Sequence, residues 1–197
     1  MPTEKIKRSY RKTRYILYKE TLIDYKEHFW SFLGSFVGIG ILAYLESSQF
    51  TGSDVVYLIG SFGASSVLIY GIIQSPFSQP RNLIGGHLIS AFIGVSVNKL
   101  VPDIVWISAP LAVSLSIIFM QITKTLHPPG GATALIAVTG SAQIKALGYM
   151  YVISPVLVGV LILFFTALIF NNMTSSRSYP NNYHKHYHKI RKRLARK

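Results

Sequence analysis

Of the 197 residues only 14% are charged, against roughly 25% in a soluble globular domain, while half are hydrophobic and the mean hydropathy is +0.36. That balance points to lipid and argues against a water-soluble enzyme. The absence of cysteine excludes disulfides, thiolate metal sites and thiol nucleophiles.

Residues 1–28 carry 8 of the 20 Lys and Arg side chains, interleaved with Tyr10, Tyr15, Ile16, Leu17, Leu22 and Ile23. This pattern predicts a basic N-terminal segment, with a helix lying on an anionic leaflet before the chain enters it. No small-residue cleavage pattern follows a short apolar core, so no removable signal peptide is expected.

The next 142 residues hold only four basic side chains, Arg81, Lys99, Lys124 and Lys145. Flanking charges divide this region into six uncharged intervals: Glu27 to Glu46, Asp54 to Arg81, Arg81 to Lys99, Asp103 to Lys124, Lys124 to Lys145 and Lys145 to Arg177. A helix needs about 20 apolar residues to cross a hydrocarbon core. Five intervals meet that length, whereas Lys124 to Lys145 leaves only the segment Ala132 to Ala142 after its prolines and glycines. The expectation is an all-α, polytopic transmembrane helix bundle over residues 29–172 with six crossings, one of them short. Two of its elements are interrupted by Pro and Gly.

Placing both termini in the cytoplasm leaves only Lys99 and Lys145 outside, as the bias of basic residues toward the cytoplasm demands. Trp30, Tyr44, Tyr57, Trp106 and Tyr149 fall near expected interfaces. Gly34-x-x-x-Gly38 and the series Gly86, Ser90, Gly94 make smooth helix faces, for packing within the chain or for a homo-oligomer seam. Gly38-Ile39-Gly40 imitates a dinucleotide fingerprint but lies in an apolar run with no preceding strand, and close packing explains it.

Two stretches break the apolar pattern: Ser75-Pro76-Phe77-Ser78-Gln79-Pro80-Arg81-Asn82, leading to Gly85-Gly86-His87, and His127-Pro128-Pro129-Gly130-Gly131, leading to Thr133. Proline stops the incoming helix and the glycine pair permits close approach or unusual conformation. The new helix then starts with unpaired N–H groups, a natural place for an anion. Irregular backbone at membrane depth is tolerated where protein or a water-filled cavity satisfies it, as in several transporters. The candidate pathway residues are therefore Arg81, Asn82, Gly85, Gly86, His87, His127, Gly130, Gly131 and Thr133, with Ser65 and Ser66 (and Ser61 beside them) as a polar track. Arg81 reads equally as a topology charge snorkelling to headgroups. His87 and His127 read as neutral interhelical hydrogen-bonding groups or as proton carriers.

These residues carry a family resemblance. The run His127-Pro128-Pro129-Gly130-Gly131-Ala132-Thr133-Ala134-Leu135, preceded by Gly60-Ser61-Phe62-Gly63-Ala64-Ser65-Ser66-Val67-Leu68, by Ser75 to Asn82 and by Gly85-Gly86-His87, strongly resembles the HPP family of integral membrane proteins. The likeness covers roughly residues 29–172, with Gly130 where members commonly have alanine. It implies four transmembrane helices, fewer than the charge pattern suggests. Some plastid and cyanobacterial members are implicated in nitrite transport, which implies a small-anion permease here as well. Separately, a plasma-membrane location with both termini cytoplasmic is expected.

The C-terminal region, residues 173–197, is expected to be a basic cytoplasmic tail. Its Tyr183-His184-Lys185-His186-Tyr187-His188-Lys189 run suits a divalent metal or a mobile, leaflet-seeking segment. No Walker loop, His-Glu-x-x-His or Gly-x-Ser-x-Gly pattern is present. No catalytic function, cofactor, metal centre or nucleic-acid partner is expected. A non-transporting membrane scaffold or sensor acting through its tails is the alternative.

Overall fold

The computed structural model describes residues 25–49, 56–174 and 177–181. The expected surface helix lies almost wholly outside these residues, and the His/Lys run at 183–189 wholly so. The described elements are α1 (Tyr25–Gln49), α2 (Gly60–Ser66) running into a π-helical turn (Val67–Gly71), a 3-10 turn (Pro76–Ser78), and α3 (Pro80–Leu100). There follow α4 (Val105–Ile122), α5 (Pro128–Thr139), α6 (Ala142–Leu147), a π-type segment (Val152–Leu157) and α7 (Val158–Phe170). No strand occurs among the described residues, and the fold is an all-α membrane bundle.

Among the described residues, four stretches are long and apolar enough to cross a membrane: Tyr25–Ser48, Pro80–Leu100, Val105–Ile122 and Val152–Phe170. They carry exposed Phe32, Phe36, Trp106, Ile118, Phe165 and Ile169, the surface a lipid environment calls for. Two further segments are short. The twelve residues of α5 were expected to be so; the helical part of the Asp54 to Arg81 interval, Gly60–Gly71, corrects the full-length span expected there.

The polar chemistry after α2 explains its early end. Ile72 leaves the helical region at φ −128°, and Ser78 Oγ donates to the carbonyls of Leu68 and Ile72 at 2.9 and 2.8 Å. Gln79 Nε2 donates to the Ile73 and Ser75 carbonyls, both at 3.0 Å. The carbonyls of Leu68, Ile72 and Ser75 also accept turn N–H groups, and Gln79 meets the Ile73 carbonyl, so backbone acceptors at the break are satisfied as a chain in lipid requires.

Contacts at both ends show which way each short segment runs. The Glu46 carboxylate accepts the N–H groups of Val56 and Tyr57, while Ser31 Oγ donates to the Tyr70 carbonyl at 2.7 Å. The chain from Val56 to Tyr70 therefore runs antiparallel to α1 over the height from Glu46 to Ser31, roughly 22 Å at about 1.5 Å per residue. Gly86 packs on His127, Ser90 on Gly130 and Gly94 on Ala134, so α5 runs parallel to α3. It starts level with Gly86, roughly 9 Å deeper than Pro80.

Both small-residue faces are used within the chain. Gly34 and Gly38 lie against Tyr70, whose OH also pairs with Thr166 Oγ1 at 2.5 Å. Of the expected interfacial aromatics, Tyr44, Trp106 and Tyr149 are exposed, but Tyr57 is buried and its OH pairs with Ser154 Oγ at 2.7 Å. Ser154 is non-helical at φ −133°, ψ 119°, which makes a third break ahead of α7 that the sequence reading did not single out.

The boundary drawn at residue 172 falls short of the packed region. Arg177 is buried, donating through Nη1 to Glu27 Oε2 at 2.8 Å and through Nη2 to the Tyr70 carbonyl at 2.9 Å and Asn171 Oδ1 at 2.6 Å. Tyr179 is buried as well, and its OH donates to the Ser78 carbonyl at 2.7 Å. Residues 177–181 are thus part of the bundle's floor.

Candidate functional site

Three elements bring a polar chain to the centre of the bundle. From α2 comes Ser65, from α3 His87, and from the start of α5 His127 and Thr133, all completely buried. Ser65 Oγ lies 2.7 Å from His87 Nε2 and 2.9 Å from His127 Nε2. His87 Nδ1 lies 2.7 Å from Thr133 Oγ1, and His127 Nδ1 lies 2.8 Å from the Phe77 carbonyl in the 3-10 turn. The imidazole centroids are 4.9 Å apart, with the Phe62 ring edge-on to His87 at 5.6 Å.

The local sequence places each member. His127 precedes Pro128 and sits in extended backbone at φ −137°, which turns its ring back toward the 3-10 turn. His87 projects from the same length of α3 whose Gly86 admits the His127 Cβ and the Thr125 backbone: a Cβ on Gly86 would lie 2.9 Å from the Thr125 carbonyl. Ser65 lies in the last turn of α2 before the helix widens.

Donor and acceptor roles follow from one fixed acceptor. A carbonyl cannot donate, so His127 Nδ1 carries the proton toward Phe77. In the neutral ring Nε2 is then a lone pair that receives the Ser65 hydroxyl. Ser65 Oγ in turn accepts from His87 Nε2–H, leaving His87 Nδ1 to accept from Thr133. Thr133 Oγ1 is only distantly placed from the Pro129 carbonyl, at 3.4 Å, consistent with its proton being used on His87.

The sequence profile of the family described as "HPP, transmembrane region" matches residues 20–180. The chain belongs to the HPP family. Two transmembrane proteins of Dictyostelium discoideum are similar to this HPP chain. One is 47% identical over 163 residues, covering 80% of this chain and 56% of the relative; the other is 45% identical over 163 residues, covering 80% and 51%. This HPP chain therefore spans about half the length of the curated relatives it matches. No solved structure matches it.

Placed on the HPP bundle, the sequence candidates fall into three groups. Ser65, His87, His127 and Thr133 meet in the polar chain. Arg81 and Asn82 lie at the bundle's edge and brace the α4–α5 loop: Arg81 is exposed and donates through Nη2 to the Thr123 carbonyl, and Asn82 Nδ2 donates to the Leu126 carbonyl, both at 2.7 Å. The glycines serve close approach. A Cβ on Gly85 would lie 2.6 Å from Thr125 Cγ2, and one on Gly130 2.7 Å from Ser90 Oγ, whereas Gly131 has room. Gly85 and Gly86 sit past the first turn of α3, and the Gly130 N–H donates to the His127 carbonyl at 2.8 Å.

Ser66 does not join the chain. Its hydroxyl and that of Ser61 are buried without a hydrogen-bond partner in the described structure. The sequence reading missed the Phe77 carbonyl, which no side-chain pattern announces, and Tyr151, whose OH donates to the Thr133 carbonyl at 3.1 Å.

Proposed function

We propose that this HPP protein is a plasma-membrane permease or channel for a small inorganic anion, nitrite being the leading candidate, with both termini cytoplasmic and no catalytic role. The observation that supports the reading is the buried Ser65–His87–His127–Thr133 chain inside a lipid-facing bundle, with the unpartnered Ser61 and Ser66 hydroxyls on the same short helix. Polar groups at membrane depth are costly and commonly mark a solute route. Buried hydroxyls without partners call for water or a small polar solute. Nitrite comes from the family resemblance. Arg81, at the edge where α3 and the α4–α5 loop meet, raises the local anion concentration.

Vesicles containing the full chain take up nitrite faster than protein-free vesicles, and Arg81→Ala and His127→Ala each slow the uptake. Undiminished uptake in both variants rejects the site. Vesicles tight to nitrite and to a panel of small anions reject transport, leaving a scaffold or sensor acting through its tails.

A further inference from the structure

We infer that the Ser65 hydroxyl is a proton relay between His87 and His127, so that the transported anion is accompanied by a proton. This rests on the transport reading above. The argument comes from counting hydrogens in a closed chain. With both rings neutral, each imidazole and the Ser65 hydroxyl donates once and accepts once, Thr133 donates at one end, and the chain closes on the Phe77 carbonyl. With one proton added, two further arrangements satisfy every group.

In the first, His87 is the imidazolium. Its Nε2–H donates to Ser65 Oγ and its Nδ1–H to Thr133 Oγ1, while Ser65 O–H donates to His127 Nε2. In the second, His127 is the imidazolium: its Nε2–H donates to Ser65 Oγ, and Ser65 O–H donates to His87 Nε2. In both, Thr133 turns its proton to the Pro129 carbonyl, the acceptor already at 3.4 Å.

The two arrangements differ by one concerted shift. The His87 Nε2–H bond breaks as an O–H bond forms at Ser65, and the original Ser65 O–H bond breaks as an N–H bond forms at His127 Nε2. One N–H and one O–H are lost and one of each is gained, with no change of oxidation state. The distances of 2.7 and 2.9 Å suit such a transfer without movement of either ring.

A merely structural polar cluster needs one satisfied state; this one has three, and Ser65 is the hinge between two of them. No charged side chain hydrogen-bonds to either ring and pins the proton there. Phe62 from α2 and Thr133 from α5 face His87, and the nearby Tyr151 phenol is already donated to the Thr133 carbonyl. Each imidazole's recorded hydrogen bonds go to neutral groups. Phe77, whose carbonyl ends the chain, lies in the 3-10 turn and is 38% exposed, so the His127 end lies nearer the bundle's surface than the His87 end.

The test uses the full-length chain in vesicles with an internal pH dye and an inward nitrite gradient, alongside ¹⁵N-histidine NMR of the protein without nitrite. Wild-type vesicles acidify faster than protein-free vesicles. Ser65→Ala lowers the ratio of protons to nitrite by about a hundredfold or more, and Ser65→Thr, which restores the hydroxyl, recovers it. NMR shows His127 protonated at Nδ1 and His87 at Nε2 in the neutral protein. A wild-type proton ratio in Ser65→Ala, or the opposite pair of tautomers in the wild type, overturns the relay. Failure of wild-type vesicles to pass nitrite overturns the transport reading instead. The tautomers and the proton conductance under an imposed pH gradient then still decide the relay, and they do so even if Ser65→Ala does not fold.

Discussion

At the scale of single residues, the glycines of α3 and α5 set how closely the polar chain is drawn together. Helices in lipid associate through packing and hydrogen bonds rather than through expulsion of water, so each close approach matters individually. Gly94 shows this most clearly. A Cβ there would lie 2.6 Å from the Ala134 carbonyl oxygen and 2.8 Å from its Cα, both backbone atoms that cannot rotate away. Gly94→Ala is therefore expected to lower the detergent-solubilised protein's stability by about 1–3 kcal/mol through overpacking. Gly40→Ala, with nothing within 4 Å of the added carbon, serves as its control and leaves the unfolding midpoint unchanged or slightly higher. Equal midpoints in the two variants would contradict the α3–α5 contact.

At the scale of elements, the interruptions were legible in the sequence where proline met glycine, and less so elsewhere. The break before α5 and the turn at Pro76–Ser78 are announced by Pro128-Pro129-Gly130-Gly131 and by Pro76 and Pro80. The shortness of α2 was not visible, because counting uncharged residues ignores Gln74, Ser75, Ser78 and Gln79, which serve the turn rather than the span. The Ser154 break was hidden by the apolar run around Pro155. Among the site residues, the meeting of His87, His127 and Thr133 was foreseeable from the motif. Ser65 was one of three candidate serines in α2, and helical phase alone could not choose it.

The floor segment was illegible for a related reason. Arg177 looks like any basic tail residue until Glu27, Tyr70 and Asn171, contributed by three other elements, are seen around it. Arg177→Met removes five hydrogen bonds to Glu27, Ser31, Tyr70 and Asn171. The expected cost is about 2–4 kcal/mol, because buried acceptors lose a charged donor while Glu27 remains partly solvated. Amide hydrogen exchange at Tyr179 and Asn181, whose N–H groups donate to Asn172 Oδ1 and Gln79 Oε1, should be many times faster in the variant than in the wild type. An unchanged exchange rate would mean that residues 177–181 are not held in this way.

At the scale of the whole molecule, the polar chain makes sense only if the two short segments pass from one face of the bundle to the other. The contacts define two faces. Ser31, Tyr70, Arg177 and Asn171 meet at one, and on that face Tyr179 reaches Ser78 and Arg81 reaches Thr123. Glu46 meets Val56 at the other, and Lys145 meets Asp103 across the α3–α4 turn at 3.1 Å. That exposed ion pair contributes at most about 1 kcal/mol and marks position more than it stabilises. Helical direction then alternates through α1, α2, α3, α4, α5 and α7, so that among the described residues four long spans and two short segments run between the faces. Because the chain has no cysteine, the arrangement can be read directly with single cysteines and a membrane-impermeant thiol reagent on sealed vesicles. Lys124→Cys and Gln74→Cys should label from the same side, and Lys145→Cys and Ser48→Cys from the opposite one. If α5 dipped in and returned, Lys124→Cys and Lys145→Cys would label together; if α2 did so, Ser48→Cys and Gln74→Cys would. Either result would leave His127 or Ser65 in a half-channel open to one face, where a proton handed across Ser65 returns to the compartment it left and cannot accompany an anion through the membrane.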